Sequence, residues 1–297
     1  MRTIRFTLAY DGTNFHGWQF QPNLRTVQGC VMEAARKITG TDFPEILGSS
    51  RTDTGVHALG QLAALWTDSK IPISAFPQAM NANLPADILV LEAAEETVDF
   101  HPIRNTTRKR YRYLMHDGPK PEIFMRHYCW RLGKQTSELN VPRMQQAAKY
   151  FLGTHDFSAF ENQGSPREHS IRTIFDFSVR RSGTNDSKND ELSSQNITVS
   201  DIFPRIGHQE SFIILEVEAD GFLYNMVRNL AGALYDVGRG HRPPEWVQET
   251  LLSRNRQQGG MTAPAQGLFL LKIETASVVE NPFKKLPENS LCPGQTL

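Results

Sequence analysis

The chain has 297 residues, of which 39% are hydrophobic and 22% charged, as is typical of a globular protein with a sizeable core. Lys plus Arg and Asp plus Glu number 32 each, so the net charge does not indicate a polyanionic partner. No stretch approaches the ~18 apolar residues of a membrane span, and the N-terminal residues lack the pattern of a signal peptide. The three cysteines are far apart, without the spacing of a zinc site or a disulfide framework. We therefore expect a cytoplasmic protein without a membrane or a metal partner.

Hydrophobic periodicity in the first part of the chain predicts the order strand, helix, strand, strand, helix, strand. Ile4, Phe6 and Leu8 alternate with less apolar residues, as in a half-buried strand, and Asp11 and Gly12 mark a turn after it. The predicted helices cover residues 27–38 and 73–81, and the further strands cover 46–47, 61–66 and 88–91. Residues 1–105 form the predicted N-terminal half.

Nearly the same order recurs in residues 106–275, the predicted C-terminal half. Its strands are predicted at 110–115, 172–180, 212–219 and 268–273, and its helices at 142–152 and 223–237. The expected fold class is therefore α+β, with two ferredoxin-like (β-α-β-β-α-β) halves whose antiparallel sheets face or join around a central cleft. The polar composition of residues 182–208 predicts a long loop inserted between strands, and residues 276–297 are predicted to be a flexible tail.

A basic stretch lies at the start of the second half. Between Arg104 and Arg112 the chain carries five basic residues and no acid; Tyr111 lies among them and Tyr113 follows. This pattern is typical of phosphate contact combined with base stacking, and equally of a solvated strand edge on which charge discourages aggregation. The basic side chains concerned, apart from Arg104, are Arg108, Lys109, Arg110 and Arg112.

Asp53 lies in a loop rich in glycine and polar residues, which follows a predicted strand. Such an Asp commonly caps a helix, but a loop of this kind can also present side chains into a cleft. The triplet Asp53-Thr54-Gly55 is also the short signature of aspartic proteases, which need a second carboxylate, and the chain has no second D-T-G or D-S-G. Arg51 and His57 would further favour the ionised form of Asp53. His57 is interpreted as a structural histidine rather than a general base.

Five separated segments, in the same order along the chain, resemble the bacterial tRNA pseudouridine synthase A (TruA) family, and Gly267-Leu268 fits as well. They are Tyr10-Asp11-Gly12 with Phe15-His16-Gly17-Trp18-Gln19, residues 48–60 around Arg51-Thr52-Asp53, Asn81-Ala82-Asn83-Leu84-Pro85, Arg110-Tyr111-Arg112-Tyr113, and Asp220-Gly221-Phe222 running into Asn225-Met226-Val227-Arg228-Asn229. The resemblance extends over about residues 1 to 274, nearly the whole chain.

The resemblance implies an isomerase without a cofactor that converts uridine to pseudouridine at positions 38, 39 and 40 of the tRNA anticodon stem-loop. Asp53 matches the family's essential aspartate, as nucleophile or base, and Arg228 matches its basic partner, which is expected to lower the Asp pKa. Tyr111 matches the tyrosine that stacks on the target base. Arg51 matches a residue thought to help flip the nucleotide out of the stem.

The resemblance also implies a homodimer that binds tRNA in its central cleft, with Arg108, Lys109, Arg110 and Arg112 as candidates for contact with the RNA backbone. Two features depart from the family's pattern. Thr54 stands where the family commonly has Ala, a change that should not affect the chemistry. The insertion at residues 182–208 is longer than expected, so contacts to the outer part of the tRNA are expected to differ.

Overall fold

A computed structural model describes residues 1–120, 123–133, 138–164, 169–182 and 211–276. Nearly all of the predicted insertion at 182–208 and of the predicted tail at 276–297 therefore lies outside the described residues. Within the described ranges, no helix has both the length and the apolar character that crossing a membrane requires.

The first half contains the predicted order of strands and helices. Its strands are β1 (Arg2–Tyr10), β2 (Ile46–Gly48), β3 (His57–Thr67) and β4 (Ile88–Glu96), and its helices are Val27–Thr39 and Phe76–Asn81. The first helix begins where the Thr26 side chain accepts a hydrogen bond from the Gly29 amide. It ends at Gly40, whose φ of 71° is the left-handed conformation that glycine adopts easily.

The second half also keeps the predicted order, with additions. Its strands are β5 (Thr106–His116), β6 (Trp130–Arg131), β7 (Gly153–Asp156), β8 (Ile171–Arg181), β9 (Phe212–Ala219) and β10 (Leu268–Thr275). Its α-helices are Val141–Ala148, Met226–Gly238 and Trp246–Ser253. The sequence did not predict the short strands β6 and β7 or the Trp246–Ser253 helix. The Met226–Gly238 helix starts three residues later than predicted, because Asn225 has a left-handed backbone with φ 58°.

The strands of both halves join in a single sheet, one of the two predicted arrangements, but the sheet is mixed and not wholly antiparallel. Across the described residues the order is β4-β1-β3-β10-β5-β9-β8-β7, with β2 paired to β3 and β6 to β5. The pairs are antiparallel except for β3 with β10 and β5 with β6. The parallel pair β3–β10 connects the two halves. It covers strand edges of the two halves that would otherwise lack a partner at this point. Gly60 makes this approach possible, because a Cβ there would lie 2.3 Å from the Leu271 carbonyl oxygen.

The pairing pattern within the two halves is the same. In the first half, β1 lies between β4 and β3, and β2 pairs with β3. In the second half, β5 lies between β10 and β9, and β8 pairs with β9. The observed class is thus α+β, with a large and mostly antiparallel sheet and few helices. Buried residues of the α-helices and of the sheet share one core, which includes Phe6, Trp18 and Phe151.

Candidate active site

The Asp53 loop, residues 49–56, connects β2 with β3. Hydrogen bonds to β1 and to the segment after it hold this loop in place. The Trp18 amide donates to the Thr52 carbonyl at 3.0 Å, and the Tyr10 hydroxyl lies 2.8 Å from the Thr52 hydroxyl oxygen. The Val56 amide donates to the Asp53 carbonyl at 3.1 Å and closes a turn. Trp18 is 1% exposed and packs in the core. The segment around Tyr10 and Trp18 therefore holds this loop in place.

Two glycines allow the segment after β1 to approach the Asp53 loop. A Cβ on Gly12 would lie 2.0 Å from the Val56 carbonyl oxygen, and a Cβ on Gly17 would lie 2.6 Å from that of Thr52. Gly17 also has a φ of 83°, which other residues rarely adopt. The loop backbone therefore depends on the absence of side chains at both positions.

We expect Gly12→Ala to destabilise the protein by roughly 2 kcal/mol, in the range of overpacking substitutions, because the atom it would meet belongs to the backbone. The measurement is the urea midpoint of unfolding at constant m-value. Gly221→Ala is the matched control, since a Cβ there would meet the Arg172 Nε atom at an ordinary 3.5 Å. Equal midpoints for the two variants would show that the loop tolerates the intrusion.

Asp53 faces Arg228, which lies in the first turn of the Met226–Gly238 helix. The Arg228 Nη1 and Asp53 Oδ2 atoms are 3.6 Å apart, and the side chains are 18% and 27% exposed. This separation is that of an ion pair without a good direct hydrogen bond. Burial raises the pKa of Asp53 above 3.8, its usual value, although the positive charge of Arg228 acts to lower it. Arg228 therefore acts on the Asp53 pKa in the expected direction, but desolvation outweighs the ion pair and the net pKa is raised.

The Arg228 guanidinium is fixed by two neutral acceptors. Its Nε atom donates to the Ala263 carbonyl at 2.7 Å, and its Nη1 atom donates to the Asn225 side-chain oxygen, also at 2.7 Å. The Arg228 side chain therefore does not extend into solvent. The Arg228 side chain is partly buried and directed at Asp53, which itself is 27% exposed.

Tyr111 lies on β5, next to the Asp53 loop. Its hydroxyl is 3.0 Å from the Ser50 hydroxyl oxygen, and its ring packs edge-on to Phe222 with centroids 5.2 Å apart. Burial raises the Tyr111 pKa to about 12, so the hydroxyl stays protonated at neutral pH. The structure thus brings Asp53, Tyr111 and Arg228 together. Stacking of Tyr111 on a base remains a prediction.

His57 takes a structural position behind the loop. Its Nδ1 atom accepts a hydrogen bond from the Gly12 amide at 3.0 Å, and its Nε2 atom lies 2.9 Å from the His127 carbonyl oxygen. The ring is 2% exposed and stacks on Phe269 at 4.8 Å. Both ring nitrogens of His57 have hydrogen-bond partners. This agrees with a structural histidine and not with His57 as a general base beside Asp53.

The protease alternative does not fit this geometry. An aspartic protease needs two carboxylates that share a proton, whereas the charged group facing Asp53 is the guanidinium of Arg228. Throughout the ranges that the structure describes, no group of three or more His, Cys, Asp or Glu side chains is arranged to hold a metal ion.

The arginines of the basic stretch pair with acids on the adjacent strand β9. Arg108 and Arg110 contact Glu218 at 2.7 and 3.0 Å. Arg112 is 2% exposed, and its Nε atom donates to Glu216 at 2.8 Å. The sequence could not reveal this pairing, since Glu218 lies 110 residues from Arg108. Contact of these three arginines with RNA phosphates stays a prediction and would require the ion pairs to be shared or exchanged.

Lys109 and Arg51 are placed differently. Lys109 donates from its Nζ atom to the Ser49 carbonyl at 2.8 Å, so it supports the Asp53 loop from β5. Arg51 is exposed on the same loop, two residues before Asp53. Its position is compatible with contact to a bound nucleotide, which remains a prediction.

Three residues at the site were not identified from the sequence. Ser50 contacts the Tyr111 hydroxyl, while Asn225 and Ala263 hold Arg228. The role of Asn225 could have been predicted, because residues three apart at the start of a helix lie on the same helix face, and Asn225 precedes Arg228 by three. Ala263 acts through its backbone carbonyl, which every residue has, so its residue type could not predict this contact.

Comparison with known proteins identifies the family. The chain matches the family model of the tRNA pseudouridine synthases over residues 7–103 and 147–274. The tRNA pseudouridine synthase A of Thermoanaerobacter sp. (strain X514) is 41% identical over 273 residues, which cover 92% of this chain and 99% of that protein. The protein of that name from Acetivibrio thermocellus is 40% identical with the same coverage. A chain in a solved Cbf5-Nop10-Gar1 complex is 12% identical with a TM-score of 0.31, and the match covers 78% of this chain and 54% of that one. By the family match and its bacterial relatives, this chain belongs to the tRNA pseudouridine synthase family.

Proposed function

We propose that this protein isomerises uridine to pseudouridine in tRNA, at positions 38, 39 and 40 of the anticodon stem-loop, without a cofactor. The observation that carries the proposal is the Asp53–Arg228 pair, in which a carboxylate lies 3.6 Å from a fixed guanidinium. The relatives named tRNA pseudouridine synthase A support the substrate class. The three positions are those that the family resemblance implies.

The reaction breaks the bond between N1 and C1′, turns the uracil and forms a bond between C5 and C1′. The C5 proton is lost and a proton is gained at N1, so the product is an isomer of the substrate. The Asp53 carboxylate is the reacting group, either as a nucleophile at C1′ or as the base that removes the 2′ proton. Arg228 favours the ionised form of Asp53 in a site where burial disfavours it.

Tyr111 and Arg51 act on the nucleotide rather than on C1′. The target base must leave its stack in the stem to reach Asp53, and the family resemblance assigns the flipping of the nucleotide to Arg51. Tyr111 lies beside the Asp53 loop on β5 and supplies an aromatic ring for the flipped uracil. Its hydroxyl is protonated and can take part in proton transfer at C5.

The same proposal extends to architecture and location. Two ferredoxin-like halves are supported by the identical strand order in the two halves. A homodimer in the cytoplasm follows from the family resemblance. Its logic is that one subunit can hold the body of the tRNA while the cleft of the other receives the base.

The test is to incubate the purified protein with an unmodified tRNA transcript that carries uridines at 38, 39 and 40, and to map pseudouridine by its carbodiimide adduct. We expect adducts at these positions. A transcript with cytidines at positions 38, 39 and 40 is the control, because it shows any adducts that form at other positions. No adduct from the native protein would overturn the proposed function.

We expect the acid limb of the rate of pseudouridine formation to lie above pH 3.8, the usual pKa of an Asp, because burial raises the pKa of Asp53. The ionised form is the active one, so the rate falls as pH drops through this raised pKa. Single-turnover rates between roughly pH 4 and 8 measure the limb. A rate that stays constant over that range would contradict the predicted direction.

We expect Tyr111→Phe to reduce the rate by roughly 10²-fold, as for the loss of one proton-transfer group. Phe keeps the ring for stacking, so tRNA affinity should change little. Ser50→Ala is the companion variant, since it removes the hydroxyl that Tyr111 contacts but leaves the tyrosine in place. A normal rate for Tyr111→Phe would limit the role of Tyr111 to stacking.

A further inference from the structure

Asn225 has an unusual conformation at the start of the Met226–Gly238 helix. It is the N-cap residue, but its φ of 58° and ψ of 9° are left-handed, and its side chain makes no capping hydrogen bond. An N-cap Asn normally has an extended backbone and accepts a hydrogen bond from an amide in the first turn. Another interaction must therefore account for where the Asn225 side chain is directed.

That interaction is with Arg228. The Asn225 side-chain oxygen accepts a hydrogen bond from the Arg228 Nη1 atom at 2.7 Å, and this same nitrogen is 3.6 Å from the Asp53 carboxylate. The left-handed backbone, which Asn tolerates better than most residues, aims the side chain back over the first turn of the helix. Asn225 thus gives up the cap of its own helix and binds the guanidinium that faces Asp53.

The second acceptor for Arg228 is held independently. The Ala263 amide donates to the Arg228 carbonyl at 3.1 Å, while the Ala263 carbonyl accepts from the Arg228 Nε atom. The neighbouring Thr262 hydroxyl donates to the buried side chain of Asn229 at 2.7 Å. Because the Ala263 acceptor is backbone, Asn225 is the contact to Arg228 that a substitution can remove.

We propose that Asn225 is a positioning residue, which orients the Arg228 guanidinium toward the Asp53 carboxylate. The carboxylate is then stabilised by charge. A neutral acceptor suits this role, because a carboxylate at 225 would compete with Asp53 for Arg228. The inference rests on the proposed role of Asp53 as the reacting group.

Among the described residues, two tyrosines on β5 are titratable groups that face this pair. Tyr111 faces Asp53 and Tyr113 faces Arg228, and burial raises the pKa of both hydroxyls. Both are neutral over the pH range in which Asp53 titrates. A shift in the Asp53 pKa on changing Asn225 therefore reports on Arg228.

The test uses Asn225→Gly, because glycine adopts the left-handed backbone without strain and is acceptable at an N-cap. We expect kcat to fall about tenfold with KM nearly unchanged, as for the loss of one hydrogen bond to a charged group. In a background of Arg228→Gln, the same change should have no further effect, since Asn225 acts through Arg228. Asn140→Gly is the matched control, because Asn140 caps the Val141–Ala148 helix through the Arg143 amide at 3.0 Å.

A second measurement does not depend on turnover. The Asp53 carboxyl titration, followed by carbon-13 NMR, should move to higher pH in Asn225→Gly and not in Asn140→Gly. An unchanged Asp53 titration, or an equal loss of kcat in the Arg228→Gln background, would overturn the positioning role. If the native protein forms no pseudouridine, the proposed function fails, but the titration still decides whether Asn225 positions Arg228.

Discussion

Asp53→Asn is expected to reduce the rate of pseudouridine formation by at least about 10⁴-fold, the scale on which removal of a reacting group acts. The amide has nearly the same shape as the carboxylate, but it is neither a nucleophile at C1′ nor a base. Asp53 carries no structural hydrogen bond that the substitution would break within the described part of the chain. The effect should therefore fall on chemistry and not on folding.

Single-turnover kinetics with excess enzyme measure the chemical step, and tRNA affinity is measured in parallel at one fixed salt concentration. Affinity should stay within about threefold, since the phosphate contacts are unaffected. Asp68→Asn is the control, because Asp68 is 82% exposed, pairs with the N-terminal amine and lies outside the site. Near-native turnover in Asp53→Asn would exclude Asp53 as the reacting group.

Arg228→Gln is expected to reduce the rate by about 10²- to 10³-fold at neutral pH, the range in which loss of one preorganised charged partner falls. It should also move the acid limb to higher pH. Burial already raises the pKa of Asp53 against the charge of Arg228, so without that charge the protonated carboxyl is favoured further. Gln retains polar atoms of similar reach but carries no charge.

The pH profile separates this explanation from a loss of folding. Raising the pH above the shifted limb should recover part of the lost rate, which an unfolded variant would not do. Arg254→Gln is the matched control, since Arg254 is 69% exposed and pairs with Asp156 at 3.3 Å. An acid limb that coincides with the native one would contradict the electrostatic role of Arg228.

The local parts of the fold and site could be predicted because their signals are local. Alternation of apolar and polar residues predicted β1. The first helix begins after Thr26 and ends at Gly40, as the capping preferences of Thr and Gly predict. Asp53 was found because its neighbours form a loop of polar residues and glycines. Arg228 and Tyr111 were found only through the family resemblance, since nothing within their own segments points to Asp53.

The features that were not predicted depend on distant parts of the chain. The direction of the Asp53 pKa follows from burial by both halves, which the residue types near Asp53 do not encode. The acids that pair with Arg108 and Arg112 come from β9, more than a hundred residues along the chain. The parallel contact between β3 and β10 likewise joins residues separated by most of the sequence.

The position of β10 has a consequence for the order in which the protein folds. It is the last strand along the described chain, yet it lies at the centre of the sheet, between β3 and β5. During synthesis, His57 and Ala58 of β3 and residues 106–113 of β5 lack this pairing partner until residues 268–275 leave the ribosome. Asp53 and Tyr111 come from elements on either side of this gap, so the two side chains acquire their final spacing only when the last strand is inserted. Contacts of such long sequence separation form slowly, and the active site is therefore among the last parts of the molecule to be completed.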